Sequence, residues 1–260
     1  MNKKQSFLIL LFFSSLLMMM PEALFAQRAF APGEQLDYKA YYHWGFIWIP
    51  AATIQLSVLP NDDHRLLTLQ ATGKSYKRYD AFFKVREHYV STVDAKTLSP
   101  LLATRYAVEG SYQVNDRTTF NLDSGMINYH IIRNSGDNSI GQEQIKGSCF
   151  DILTAAYYFR TYDFSKMNIG DQYVINTFTD GKLYPITIEY LGNEMCADRN
   201  KTEYNCAKFE VSTIKGKVFN GKDKILMWVT NDSAKIPIRA TSKILVGEVD
   251  VILDGAKGIR

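Results

Sequence analysis

Apolar and polar residues alternate with a period of two along most of the chain. A first series comprises LDYKAYYHWGFIWI (36–49), ATIQLSVL (52–59), RLLTLQATG (65–73), VREHYVSTVD (85–94), TRYAVEGSYQV (104–114) and RTTFNLD (117–123). A second follows residue 170: QYVINTFT, KLYPITIEYL, AKFEVSTIKG, KILMWVTND, IPIRATSKIL and GEVDVILD. Side chains two apart share a face of a pleated strand, and the Gly, Pro, Asn and Asp residues between the runs supply turns. About a dozen strands are therefore predicted, and the fold class is mainly β: a large curved antiparallel sheet or an open barrel.

One stretch breaks the pattern. In GSCFDILTAAYYFR (147–160), Cys149, Ile152, Leu153, Ala156 and Tyr157 recur at helical spacing, and Phe150, Tyr158 and Phe159 widen the stripe almost all round. Ser148 and Asp151 form the S-x-x-D arrangement that satisfies free amides at a helix start. A helix apolar on so many sides must be buried. The spacing predicts a buried connecting helix over about 148–162, with Tyr158 and Arg160 as its polar outlets.

That helix falls between two halves that resemble each other. Gly33-Glu34-Gln35 and Gly170-Asp171-Gln172 are 137 positions apart, as are Pro100 and Pro237, and Gly110 and Gly247. Asp94 and Asp232 are 138 apart, while TIQL (53–56) and TIEY (187–190) slip to 134. One offset kept by several landmarks implies an internal duplication, with pseudo-repeats at about 33–125 and 170–255 sharing one core.

The N-terminus changes the compartment. Lys3 and Lys4, the apolar run Phe7 to Met20, and EALFA ending at Ala26 have the layout of an export signal, so residues 1–26 are expected to be removed and 27–260 to form a single β domain. The apolar run is shorter than the roughly 20 residues a bilayer span needs, and no second such run follows. No cysteine precedes Cys149 to accept a lipid. The expected location is the periplasm, or the periplasmic face of the outer membrane, with no transmembrane segment after cleavage.

Charge excludes one class of partner. The formal net charge is +3, and it is spread along the chain, so no stripe for nucleic acid is present. Aromatic residues are numerous, with 16 Tyr, 15 Phe and 3 Trp, which suits broad pleated faces. In an exported protein, Cys196 and Cys206 flanking the polar ADRNKTEYN suggest a disulfide that staples a hairpin, leaving Cys149 over.

Catalytic patterns are sparse. His43, His64, His88 and His130 are scattered without chelating spacing, so neither a metal nor a cofactor is expected. No G-x-S-x-G is present, LDSG (122–125) and GKDK (221–224) have turn composition, and Asp62-Asp63 and Glu109 with Asp116 are assigned to turns. Cys149 is the weak catalytic candidate: helix N-terminal amides can activate a thiol there, whereas the bland alternative is a small buried core residue. Binding fits better. The run YYHWGFIWIP, taken as one strand, puts Tyr42, Trp44, Phe46 and Trp48 on one face and Tyr41, His43, Ile47 and Ile49 on the other. Such a strand is either covered on both faces or lines an apolar groove for a lipid, acyl chain or hydrophobic peptide.

The segments PGEQLDYKAYYHWGFIWIPAATIQLSV, FDILTAAYYFR and MWVTNDSAKIPIRATSKILVGEV together resemble the DUF3108 family of exported bacterial proteins, over residues 32–254. Ala51-Ala52 departs from the Ala-Gly expected there. The resemblance implies a fold and a compartment, with no activity attached. The architecture is also similar to that of lipoprotein carriers of the LolA type. A non-catalytic periplasmic binding or cell-envelope factor for a hydrophobic ligand is therefore expected, its partner a lipid, another hydrophobic small molecule or an envelope protein. The alternatives are a periplasmic hydrolase or thiol enzyme using Cys149, and a structural partner of an outer-membrane assembly recognised by strand addition.

Overall fold

The computed structural model describes residues 29–145, 147–214, 223–244 and 247–259, so the expected export signal, and residues 221 and 222 of the turn at 221–224, lie outside the described residues. The period-two runs form one antiparallel sheet of 14 strands among those residues. In chain order these are β1 (Gln35–Trp44), β2 (Ile47–Pro60), β3 (Leu66–Ser75), β4 (Val85–Asp94), β5 (Pro100–Glu109), β6 (Tyr112–Asn121), β7 (Met126–Arg133), β8 (Asn138–Gln144), β9 (Gln172–Thr179), β10 (Lys182–Ala197), β11 (Glu203–Ser212), β12 (Lys224–Thr230), β13 (Pro237–Lys243) and β14 (Glu248–Lys257). Two short helices accompany them, α1 (Asp80–Phe83) and α2 (Ile152–Phe159).

The sheet order is β8-β7-β6-β5-β4-β3-β2-β1-β14-β13-β12-β11-β10-β9. Two meanders thus run outward from a central seam, where β1 pairs with β14 from Gln35↔Lys257 to His43↔Glu248. β8 and β9 are the two edges, and the sheet does not close. The chain passes from one edge to the other through α2, and the extended residue Phe150 bridges to Thr177 of β9.

α2 lies between the halves because its apolar residues face two clusters. Leu153 and Tyr157 pack with Phe30, Val58, Leu69, Val93 and Leu98. Phe159 packs with Phe164, Ile175, Ile188, Tyr190 and Phe209. The helix starts later than its spacing predicts. Phe150 is held extended by bonds to Asn176 and Phe178, so Asp151 caps the helix in place of Ser148. Its Oδ1 accepts from the amides of Leu153 and Thr154 at 3.0 and 3.1 Å and from Ser91 Oγ at 2.7 Å.

Arg160, expected as a polar outlet, is 4 % exposed. Its guanidinium donates to both carboxylate oxygens of Glu34 at 2.6 and 2.7 Å, and to the carbonyls of Ala29 and Ala234 at 3.1 and 2.9 Å. The rings of Phe30 and Tyr157 lie over it. A side chain too polar to bury alone is buried because a bidentate carboxylate and two carbonyls receive its protons. It pins α2 to the residues before β1 and to the turn before β13.

Candidate functional site

The aromatic run is a hairpin, and this corrects the face assignment. Trp44 opposes Ile47 and His43 opposes Trp48, across the two-residue turn Gly45-Phe46. Gly45 has φ +56°, the left-handed conformation that the first central residue of a type II′ hairpin needs. Opposed residues share a face, so Trp48 stands with His43 and Tyr41, whereas Trp44 stands with Tyr42, Ile47 and Ile49. The Trp48 ring is 5.6 Å from that of Tyr41. Tyr42 is half-buried, while Trp44, Phe46, Ile47 and Trp48 are 59, 108, 47 and 53 % exposed, so the tip neither enters the core nor lines an enclosed cavity.

α1 lies at the same end. β3 ends at Ser75 opposite Ala52, and the Tyr76 amide donates to the Ala51 carbonyl, which brings 76–83 beside the hairpin. Phe82 and Phe83 are exposed there. Between this segment and the hairpin runs a groove of about 500 Å³ lined by Lys39, Tyr41, Pro50, Tyr76, Lys77, Arg78 and Arg199. Arg199 donates to Tyr41 Oη at 3.1 Å and to Asp254 at 2.7 Å, and Lys39 is 3.4 Å from the same carboxylate. The Arg78 guanidinium lies 4.8 Å over the Tyr79 ring. Lys77 and Arg78 are exposed and have no ion-pair partner among the described residues. Asp80, the carboxylate nearest to them in sequence, is taken up by Arg86.

A second polar cluster lies across β4 to β7. Arg105 donates to Glu109 at 3.0 Å and lies 3.9 Å from both Glu87 and Asp180, which also meets Arg133 at 3.5 Å. Burial, reinforced by a hydrogen bond with Glu109, pushes the Glu87 carboxyl up to about 7. Burial also raises Asp116 and, against its hydrogen bonds from Thr154 and Ser91, Asp151. Glu109 and Asp116, assigned above to turns, instead end β5 and occupy the middle of β6. Asp116 faces inward because it shares the row of Val114, Thr118 and Phe120. The cavity among Ser91, Arg105, Asp116 and Asp151 is about 30 Å³, room for roughly one water and no organic substrate.

The cysteines take no part in either cluster. Cys149 is buried, and burial together with the Asp151 charge pushes its thiol up to about 11, opposite to what a nucleophile needs. The disulfide expected between Cys196 and Cys206 is not formed: both are free, buried thiols. Register gives the reason. Cys206 opposes Glu194 and Cys196 opposes Tyr204, so the two are diagonal neighbours on β10 and β11 and not a directly opposed pair. Their contact and burial raise the Cys206 thiol. Among the described residues, no group of three or more His, Cys, Asp or Glu side chains is arranged to hold a metal ion, and no helix is long and apolar enough to cross a membrane.

The family model described as a protein of unknown function, DUF3108, matches residues 37–254. No curated protein matches the chain in sequence. Among solved structures, a β-barrel-like protein of the domain of unknown function DUF1849 from Brucella abortus has 7 % identity and a TM-score of 0.56, covering 88 % of this chain and 98 % of its own. The hypothetical protein CT021 from Chlamydia trachomatis, with 7 % identity, covers 88 % of both chains at a TM-score of 0.37. A Bacteroides fragilis protein with a YmcC-like fold, 12 % identical, covers 88 % of this chain and 97 % of its own at 0.33. The first likeness is one of fold, and the other two carry no argument.

Proposed function

The chain belongs to the DUF3108 family, and because that family's function is unknown we propose one from the site: a non-catalytic, exported cell-envelope factor that binds a hydrophobic ligand on the β1–β2 hairpin. The observation that carries this reading is the exposure of Trp44, Phe46, Ile47 and Trp48 together at one tip. Large apolar side chains grouped outside the core mark a surface that is covered in use, and Trp in particular suits a boundary between water and an apolar phase. The N-terminal residues 1–26 motivate the exported location. The cavity in the carboxylate cluster is too small for a substrate, and the Cys149 thiol is shifted away from reactivity, which weighs against the hydrolase and thiol-enzyme alternatives. At the β8 edge strand addition is disfavoured because that strand, NSIGQEQ, is short and polar, features that protect an edge.

Tryptophan fluorescence tests the reading directly. Of the three tryptophans, Trp228 is 7 % exposed and the other two are at the tip. Zwitterionic phosphatidylcholine vesicles or neutral detergent micelles are expected to shift the emission to the blue. Trp44→Ala with Trp48→Ala should abolish light scattering by vesicle-bound protein while moving Tm by no more than a few degrees. An unshifted spectrum with both additives would sink the proposal.

A further inference from the structure

We infer that the groove beside the hairpin takes phosphate headgroups of an anionic bilayer, so that the ligand of the aromatic tip is a membrane surface rich in acidic lipid. This rests on the reading of the tip as a hydrophobic binding surface and adds its polar half. Four cations, Lys39, Lys77, Arg78 and Arg199, line the groove, and the Asp254 carboxylate engages Lys39 and Arg199. Lys77 and Arg78 are left facing solvent, with Arg78 steadied over the ring of Tyr79. At about 500 Å³ the groove is wide enough for a headgroup.

Continuity with the tip selects a bilayer over a dissolved anion. Tyr41 lines the groove and also packs against Trp48, so cationic and apolar surfaces share a wall. Pro50, in the same groove, is two residues from Trp48 along β2. A bilayer offers both parts at this spacing, acyl chains for Trp44, Phe46, Ile47 and Trp48, and phosphates for the cations above them. Aromatic rings at the interface with flanking basic residues are the usual division of labour at a lipid surface. Each Lys or Arg near an anionic surface contributes roughly 1 kcal/mol, about fivefold in affinity, and the gain weakens with salt.

The test uses the mature protein with vesicles of phosphatidylcholine alone and of phosphatidylcholine with about one third phosphatidylglycerol, read by co-sedimentation and tryptophan emission. Tighter binding to the anionic vesicles by about 25-fold or more, lost at high salt, is expected. Lys77→Gln with Arg78→Gln should remove about 25-fold of anionic binding, leave phosphatidylcholine binding unchanged, and melt as the parent does because both side chains are exposed. Equal binding to the two vesicles, or indifference to that double variant, overturns the inference and leaves the hydrophobic reading standing. Absence of any blue shift with either vesicle defeats both. Competition by millimolar inorganic phosphate as strong as that by lipid would assign the groove to a dissolved anion and overturn the proposal. So would a blue shift on concentrating the protein alone, which would assign the tip to a second copy.

Discussion

Each meander opens with a hairpin, β1–β2 in one and β9–β10 in the other, and the two have opposite fates. The β9–β10 turn is Asp180-Gly181, both at positive φ (50 and 75°), and it is fastened to the other half. Asp180 meets Arg133 and Arg105, the Tyr129 ring lies over Gly181, and Phe178 is buried against Phe120 and Tyr129. The β1–β2 turn, Gly45-Phe46, meets nothing among the described residues: a Cβ built on Gly45 has no neighbour within 4 Å, and Phe46 is fully exposed. Place in the sheet explains the contrast. β9 is an edge strand, so its hairpin is what fastens the open sheet onto itself. β1 is paired on both sides, by β2 and β14, so its tip has no structural duty.

The largest effect should come from releasing α2, whose anchor lets the two edges be spanned at all. Arg160→Met strands the Glu34 carboxylate in the interior and should cost about 3–5 kcal/mol, read by urea unfolding. If it costs under about 1 kcal/mol, the fastening does not depend on the helix. Next comes a matched pair on the two hairpins. Phe178→Ala should cost about 3 kcal/mol or more by opening a cavity, while Phe46→Ala should stay within about 0.5 kcal/mol. Equal losses would erase the distinction between a fastened and a free hairpin.

The smallest effect concerns pH on the fastened side. Glu87 holds its proton up to about pH 7 when folded, against an ordinary 4.5. The folded state therefore binds more protons between these values, and stability falls as pH rises through that window. Glu87→Gln should flatten the decline between pH 5 and 8. The expected size is on the order of 1 kcal/mol, well below the full shift, because the Glu87 side chain keeps 17 % exposure and the Arg105 cation opposes the shift. A decline of the same size in the variant would assign it to another group.

The strands and the helix were legible because period two and helical spacing are local signals. Local reading failed at three places, one of them for a nonlocal reason. Arg160 looked like an outlet because its partner, Glu34, is 126 residues away. The Gly45-Phe46 turn was hidden because apolar residues run through it, although Gly45 was the one available signal. Asp116 passed for a turn acid although its inward row, Val114 to Phe120, was readable from alternation. The internal repeat remains a proposal with structural support: Gly33 and Gly170 share φ near +90° (96 and 91), and Leu98 and Lys235, again 137 apart, both have positive φ. The acids at the two matching positions differ in role, since Glu34 holds Arg160 whereas Asp171 accepts from the amide of Asn168.

The central seam sets the timing of assembly. Every other strand pair joins neighbours in the chain and can form as soon as its hairpin is made, but β1 awaits β14, whose first residue, Glu248, is more than two hundred positions later. During synthesis from the N-terminus the free flank of β1 thus stays open until β14 has been made. A slow final zippering step is expected, with a long-lived precursor whose unpaired flank is exposed to mispairing.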